Sequence, residues 1–167
     1  MVSTPKTYEA ALPIAAAMCS RSECSAREIR KKLLSRRFPT DAVNKVVEWL
    51  YSHDFINDKR FAQAYVNDKA KFSLWGRKKI GYQLRIEGID PDIIEDAMAQ
   101  IDNTEYESRL RDALSAKLRT KTETDPYRLK MALAKWAMSR GFEASLVIPI
   151  INEMIQGADD IDAEDEI

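Results

Sequence analysis

Nucleophilic catalysis needs a nucleophile, a base and a group that orients the base. The chain has one histidine, His53 in the stretch YSHDF. It falls at the end of a predicted helix, where an imidazole is best used on the last free carbonyls. Cys19 and Cys24 are too far apart for a CxxC pair, and only His53 could join them as a soft ligand. That set is short of the four ligands of a structural zinc site, so two reduced thiols are expected. There is no GxxxxGK[ST] phosphate loop and no GxGxxG following a strand. Carboxylate pairs such as Glu95 and Asp96 fall on the wet face of a helix. No catalytic residue, no cofactor and no metal is expected.

Positive charge is the chemistry that remains. The chain holds 26 Lys and Arg against 27 Asp and Glu, unevenly placed. Residues 1–90 carry 17 basic and 10 acidic groups, residues 91–156 carry 9 and 11, and six acidic residues without a basic one follow Gly157. A positive N-terminal half fits an acidic protein surface or a phosphate backbone. The acidic end is expected to screen that half weakly and mostly through charge. The longest apolar stretch, Ala10 to Met18, is interrupted by Pro13 and falls short of the roughly 20 residues of a membrane span. No secretory pattern opens the chain, so a cytoplasmic protein is expected.

These charges must be positioned by helices. With 45% apolar and 32% charged residues, 5 Gly and 6 Pro, the composition is helix-rich. Ser25 with Glu28 and Thr104 with Glu107 read as capping boxes, and Asp90-Pro91 and Asp125-Pro126 as helix starts. Gly88, Gly141 and Gly157 mark stops. Nine helices are predicted, over 8–19, 26–36, 41–52, 58–71, 76–87, 91–101, 105–119, 126–140 and 143–156.

They fall into three groups of three. Phe38, Ile89 and Phe142 hold one place in each group. Five residues on stand Val43, Ile94 and Val147; eight on, Val46, Ala97 and Ile150; nine on, Val47, Met98 and Ile151; twelve on, Leu50, Ile101 and Met154. Nine residues back stand Ile29, Ile80 and Leu133, and five back Leu33, Leu84 and Ala137. Such spacings define one buried helical face repeated three times. The expected fold is all-α, an elongated array of three tandem three-helix repeats over 8–54, 55–102 and 103–156. A tail over 1–7 precedes it and an acidic tail over 157–167 follows. Trp49 and Trp136, polar in the other copies, are expected to pack between neighbouring repeats or else to meet a partner.

At about 100° per residue, Arg27 and Lys31 lie opposite Ile29 with Arg30 to one side. In the second repeat Lys78 and Arg85 lie opposite Ile80, with Tyr82 between them. The third repeat has Met131 and Met138 instead. Arg36, Arg37, Arg77 and Lys79 thicken the basic patch at the helix ends. Trp75, in LWGRKK, either stacks on a base or packs against the preceding helix with Phe72. Gly81, mid-helix, permits a close approach or is simply tolerated.

Three stretches resemble the RecX family, regulators of the RecA recombinase. RSECSAREIRKKL, Arg21 to Leu33, is similar to its opening pattern, with Ile29 where Leu is usual. In INDKRFAQAYVNDK, Asp58, Arg60, Phe61, Ala62, Tyr65 and Val66 match its Asp, Arg-Phe-Ala, Tyr-Val signature, although Asn57 replaces a common Asp. WGRKKIGYQLRIEGI, Trp75 to Ile89, resembles the basic helix that follows, and SRGF, Ser139 to Phe142, a Gly-Phe turn.

The resemblance covers residues 8–156 and implies tandem three-helix repeats. It also implies a partner, the RecA filament on DNA, whose strand exchange and ATP hydrolysis such proteins restrain. Candidate contacts to RecA or to DNA phosphates are Arg27, Arg30, Lys31, Arg60, Trp75, Arg77, Lys78, Lys79 and Arg85. A monomer is expected. The alternative is a direct DNA-binding protein of helix-turn-helix kind, against which stands the scarcity of outward Asn and Gln.

Overall fold

The computed structural model describes residues 5–165. Among them are nine helices and no strand: α1 (Tyr8–Cys19), α2 (Ala26–Ser35), α3 (Thr40–Ser52), α4 (Asp58–Lys71), α5 (Arg77–Ile86), α6 (Pro91–Ala99), α7 (Asn103–Arg119), α8 (Pro126–Ser139) and α9 (Ala144–Met154). The fold is all-α. Residues 1–4 of the expected N-terminal tail and 166–167 of the acidic tail lie outside the described residues. Pro13 sits within a continuous α1 and is exposed, forgoing one backbone bond.

Two compact units divide the chain. The first runs to Tyr65 and resumes over Leu84–Ala97; the second comprises Val66–Gln83 and the chain from Met98 onward. In the first, Ala11 and Ala15 of α1 are fully buried against Ile29, Leu33, Val43, Val46 and Leu50. The two alanines let α1 pack closely on α2 and α3. In the second, Leu110 and Leu114 of α7 close on Leu133 and Ala137 of α8 and on Val147 and Ile151 of α9. Truncating one of these leucines to Ala would cost roughly 2–5 kcal/mol. Of the residues that carry the repeat, all are buried except Met98, Ile101 and Met154, which are half-buried.

Local signals set the helix starts. Ser25 accepts the Glu28 amide at 3.0 Å while the Glu28 carboxylate accepts the Ser25 amide at 3.0 Å, the reciprocal box the spacing predicts. Asp125 caps α8 in front of Pro126. The expected Thr104–Glu107 box is not used. α7 begins two residues earlier, capped by Asp102, whose carboxylate accepts the Glu105 amide at 2.7 Å. A charged acceptor suits the positive end of a helix better than a hydroxyl, and this register also buries Tyr106.

The turns after α2, α5 and α8 share one conformation. Arg37 (φ 63°), Gly88 (φ 79°) and Gly141 (φ 89°) each precede the repeat's Phe38, Ile89 or Phe142 in the left-handed region. Two copies use glycine there and the first strains an arginine. Trp49 and Trp136 each pack beside a core, and Trp49 also meets Phe55, which the expected division puts in the second repeat, at 5.1 Å between ring centres. Trp49 stacks on His53 at 4.0 Å beside its own core, and Trp136 packs on the core of α7–α9 under the cations of Lys117 and Arg140. A ring one helical turn from a cap residue finds its partner locally.

Candidate functional site

The α2 surface follows from its period. With Ile29 and Leu33 fully buried, Arg27 and Lys31 are exposed and make no ion pair among the described residues. Arg30, to one side, is half-buried and donates to Asn44 of α3. Beside this face runs a shallow groove of about 490 Å³ with Met18 and Cys24 in its lining and Arg21, Lys31 and Lys32 contributing charge. Burial pushes the Cys24 thiol up to about 11, so it is a neutral thiol, not an activated nucleophile. His53 ends α3 with its Nδ1 2.9 Å from the Trp49 carbonyl. No group of three or more His, Cys, Asp or Glu able to hold a metal occurs among the described residues.

Arg60, drawn from the Arg-Phe-Ala signature, is turned to other work. Its guanidinium donates to Glu23 at 3.0 Å, to the Asp54 carboxylate at 2.8 Å and to the Asp54 carbonyl at 2.9 Å. Asp54 has φ 56°, so Arg60 pins a left-handed turn after α3. Its partners hold the guanidinium pKa above its ordinary value, the Glu23 hydrogen bond first among them.

α5 exposes Lys78, Tyr82 and Arg85, as the spacing predicts. Its first turn, however, is embedded in unit 2. The Gly76 amide donates to the Arg140 carbonyl at 2.8 Å, the Arg77 amide to the Tyr106 hydroxyl at 3.0 Å, and the Lys78 amide to the Gly141 carbonyl at 3.1 Å. Gly76 and Gly141 make this approach possible: a Cβ on Gly76 would overlap the Gly141 carbonyl, and one on Gly141 would overlap Lys79. Arg140 fastens the preceding turn, donating to the carbonyls of Ser73 at 2.6 Å and Leu74 at 2.9 Å. The WGRKK and SRGF motifs are therefore two halves of one joint.

Arg77 and Trp75 belong to that joint. The Arg77 guanidinium lies 4.0 Å from the centre of the Tyr106 ring, donates to Asn103 and pairs with Glu143 at 3.5 Å. The Tyr106 hydroxyl donates to Glu143 at 2.9 Å, and burial pushes its pKa well above the ordinary phenol value. Lys79 and Lys69 sit 4.2 and 5.1 Å from the Trp75 ring centre. Trp75 is half-buried, while Phe72 is exposed. Of the nine candidates, Arg27, Lys31, Lys78 and Arg85 remain exposed, whereas Arg30, Arg60, Trp75, Arg77 and Lys79 are tied to neighbours.

Residues that sequence reasoning passed over are Tyr106, Glu143 and Arg140, which build the joint, and Lys130. Lys130 shares the apolar stripe of α8 with Leu133 and Ala137 and is 1% exposed. A lysine on a buried stripe was the available signal. Its ammonium reaches the segment after α9, whose Ile161 lies in the core of unit 2.

Similarity to known proteins decides the family. Residues 57–98 match the family model described as RecX, second three-helix domain. The regulatory protein RecX of Clostridium perfringens strain 13 is 30% identical over 131 residues, covering 77% of this chain and 60% of the relative. The chain belongs to the RecX family. RecX of Clostridium botulinum strain Eklund 17B is 28% identical over 131 residues, covering 77% of this chain and 61% of its own length. This RecX-family chain thus spans about three fifths of the length of the curated relatives it matches. The crystal structure of RecX from Lactobacillus salivarius superposes with a TM-score of 0.67 at 24% identity, over 88% of this chain and 96% of that one. A second RecX crystal structure gives 0.78 at 22%, over 87% and 73%. These two likenesses speak to the fold. Among the described residues no helix is long and apolar enough to cross a membrane.

Proposed function

We propose that this chain binds the RecA recombinase filament and restrains it, lowering strand exchange and DNA-dependent ATP hydrolysis, and that it catalyses nothing itself. The observation that carries this reading is the pair Arg27 and Lys31, exposed and without an ion pair among the described residues, opposite a fully buried stripe in a RecX-family chain. Lys78 and Arg85 repeat the arrangement on α5. Unspent cations on helices whose other face is fixed in a core are rigidly presented, which favours acidic protein groups or phosphates. In this reading the working units are three repeats, over 8–54, 55–102 and 103–156, acting as a monomer in the cytoplasm.

The experiment is DNA-dependent ATP hydrolysis by the cognate RecA, titrated with the wild-type chain and with R27E/K31E/K78E/R85E. The wild type is expected to depress hydrolysis and the quadruple variant to lose most of that effect. A salt series on filament and on free DNA separates the partners: each phosphate contact removed flattens the log–log salt slope on single strands by about 0.7. A wild-type chain that leaves RecA untouched and binds free duplex with sequence preference would replace this reading with direct DNA binding.

A further inference from the structure

Lys130 presents an unusual demand. A buried ammonium must be matched by oxygens, and those within reach among the described residues belong to one short segment beyond α9: the carbonyls of Ala158 at 3.4 Å and Asp159 at 3.1 Å, and the Asp160 carboxylate at 3.2 Å. The next residue is read through its main chain. The Asn152 amide donates to the Ile161 carbonyl at 2.9 Å, and the Asn152 oxygen accepts the Ile161 amide at 3.0 Å. Its side chain is the segment's apolar anchor, 2% exposed in the core of unit 2. Beyond it the Asp162 carboxylate accepts the amides of Glu164 and Asp165, and the Tyr127 hydroxyl donates to Asp165 at 3.0 Å.

We propose that residues 158–165 are a displaceable strap lying in a peptide-recognition socket of unit 2, and that an acidic segment of a partner protein, with one aliphatic side chain among its carboxylates, takes its place. The socket reads main chain through a buried ammonium and a side-chain amide, and it reads sequence through one apolar pocket. That is how a protein binds a short peptide rather than how it closes a core. The strap is held lightly. Five of the seven residues 159–165 are acidic and, among the described residues, one buried cation answers them, so departure relieves like-charge repulsion.

The test uses a labelled peptide of residues 157–165, GADDIDAED, followed by anisotropy with the full chain and its Ile161→Ser variant. The variant should bind the peptide at least tenfold more tightly than the wild type, whose socket is filled in cis. Adding Lys130→Met should reverse the gain, and a peptide with Asp in place of its Ile should bind neither protein. In the wild type, the Ile161 amide should exchange with deuterium at least 100-fold faster than the Leu133 amide. Should Ile161→Ser fail to fold by circular dichroism, Ile161→Ala shortens the same apolar anchor more gently under the same tenfold criterion. No gain in peptide binding by a folded variant, or Ile161 exchanging in step with Leu133, would make the segment a fixed part of the core and overturn the proposal.

Discussion

Gly76 and Gly141 meet backbone to backbone, so that neither has room for a Cβ, and the Gly141 carbonyl accepts the Lys78 amide at 3.1 Å. Gly76→Ala should force this joint apart and weaken the three bonds that cap α5. At about 0.5–1.5 kcal/mol per bond, a loss of roughly 2–4 kcal/mol is expected. Gly88, with open space where a Cβ would go, supplies the control. Gly88→Ala should cost only its left-handed strain, about 1–2 kcal/mol. Urea unfolding of the two variants checks the order; equal losses would mean that the joint bears no load.

Arg37 occupies the conformation that the other two copies give to glycine. Arg37→Gly should stabilise the chain, by about 0.5–1 kcal/mol once the larger unfolded-state freedom of glycine is deducted from the relieved strain. Arg36, one residue earlier at φ −88°, has no strain to relieve, so Arg36→Gly should lower stability slightly. Thermal melts of the pair read the difference in sign.

Among the candidate cations, Arg60 and Arg27 should behave differently. Arg60→Ala removes bonds to Glu23 and Asp54 and should lower the melting temperature, whereas Arg27→Ala should leave it unchanged. Arg27→Ala should nevertheless be the one that weakens RecA binding at unchanged melting temperature. A loss of binding with Arg60→Ala that no stability loss accompanies would return Arg60 to the contact surface.

Two phenols should show in alkaline unfolding. Burial and the bond to Asp58 push Tyr51 up to about 12 from 10, and Tyr106 is raised too, first by burial. Each holds its proton more tightly in the folded chain than in the unfolded one. Their contribution is complete below pH 10 and is lost as the pH rises toward 12 and beyond. Tyr51 is 43% exposed, so Tyr106 should dominate. Denaturant midpoints between pH 9 and 11.5 should fall less steeply for Tyr106→Phe than for the wild type.

The repeat was legible because it rests on local period: Ile29 and Leu33, four residues apart, need only a helix to share a face. The Ser25–Glu28 box was legible for the same reason. At Thr104–Glu107 the spacing misled: Asp102, two residues earlier, caps α7 through its carboxylate. The exposure of Arg27, Lys31, Lys78 and Arg85 followed from rotation about the helix axis. What could not be read were contacts between residues far apart in sequence. Arg77 meets Tyr106 and Glu143, Arg140 meets Ser73 and Leu74, and Lys130 meets Asp159, none with a local signature. SRGF was recognisable as a turn, but nothing in its letters names the glycine it faces.

The capping of α5 by Tyr106, Arg140 and Gly141 bears on how any nucleic acid could be met there. A helix start ordinarily offers free amides and a partial positive charge to an anion. Here the amides of Gly76, Arg77 and Lys78 are already donated to protein oxygens. A phosphate approaching α5 would meet none of these three amides, only side-chain cations such as those of the exposed Lys78 and Arg85. Such a surface grips by charge density without fixing register, so a strand held there could slide.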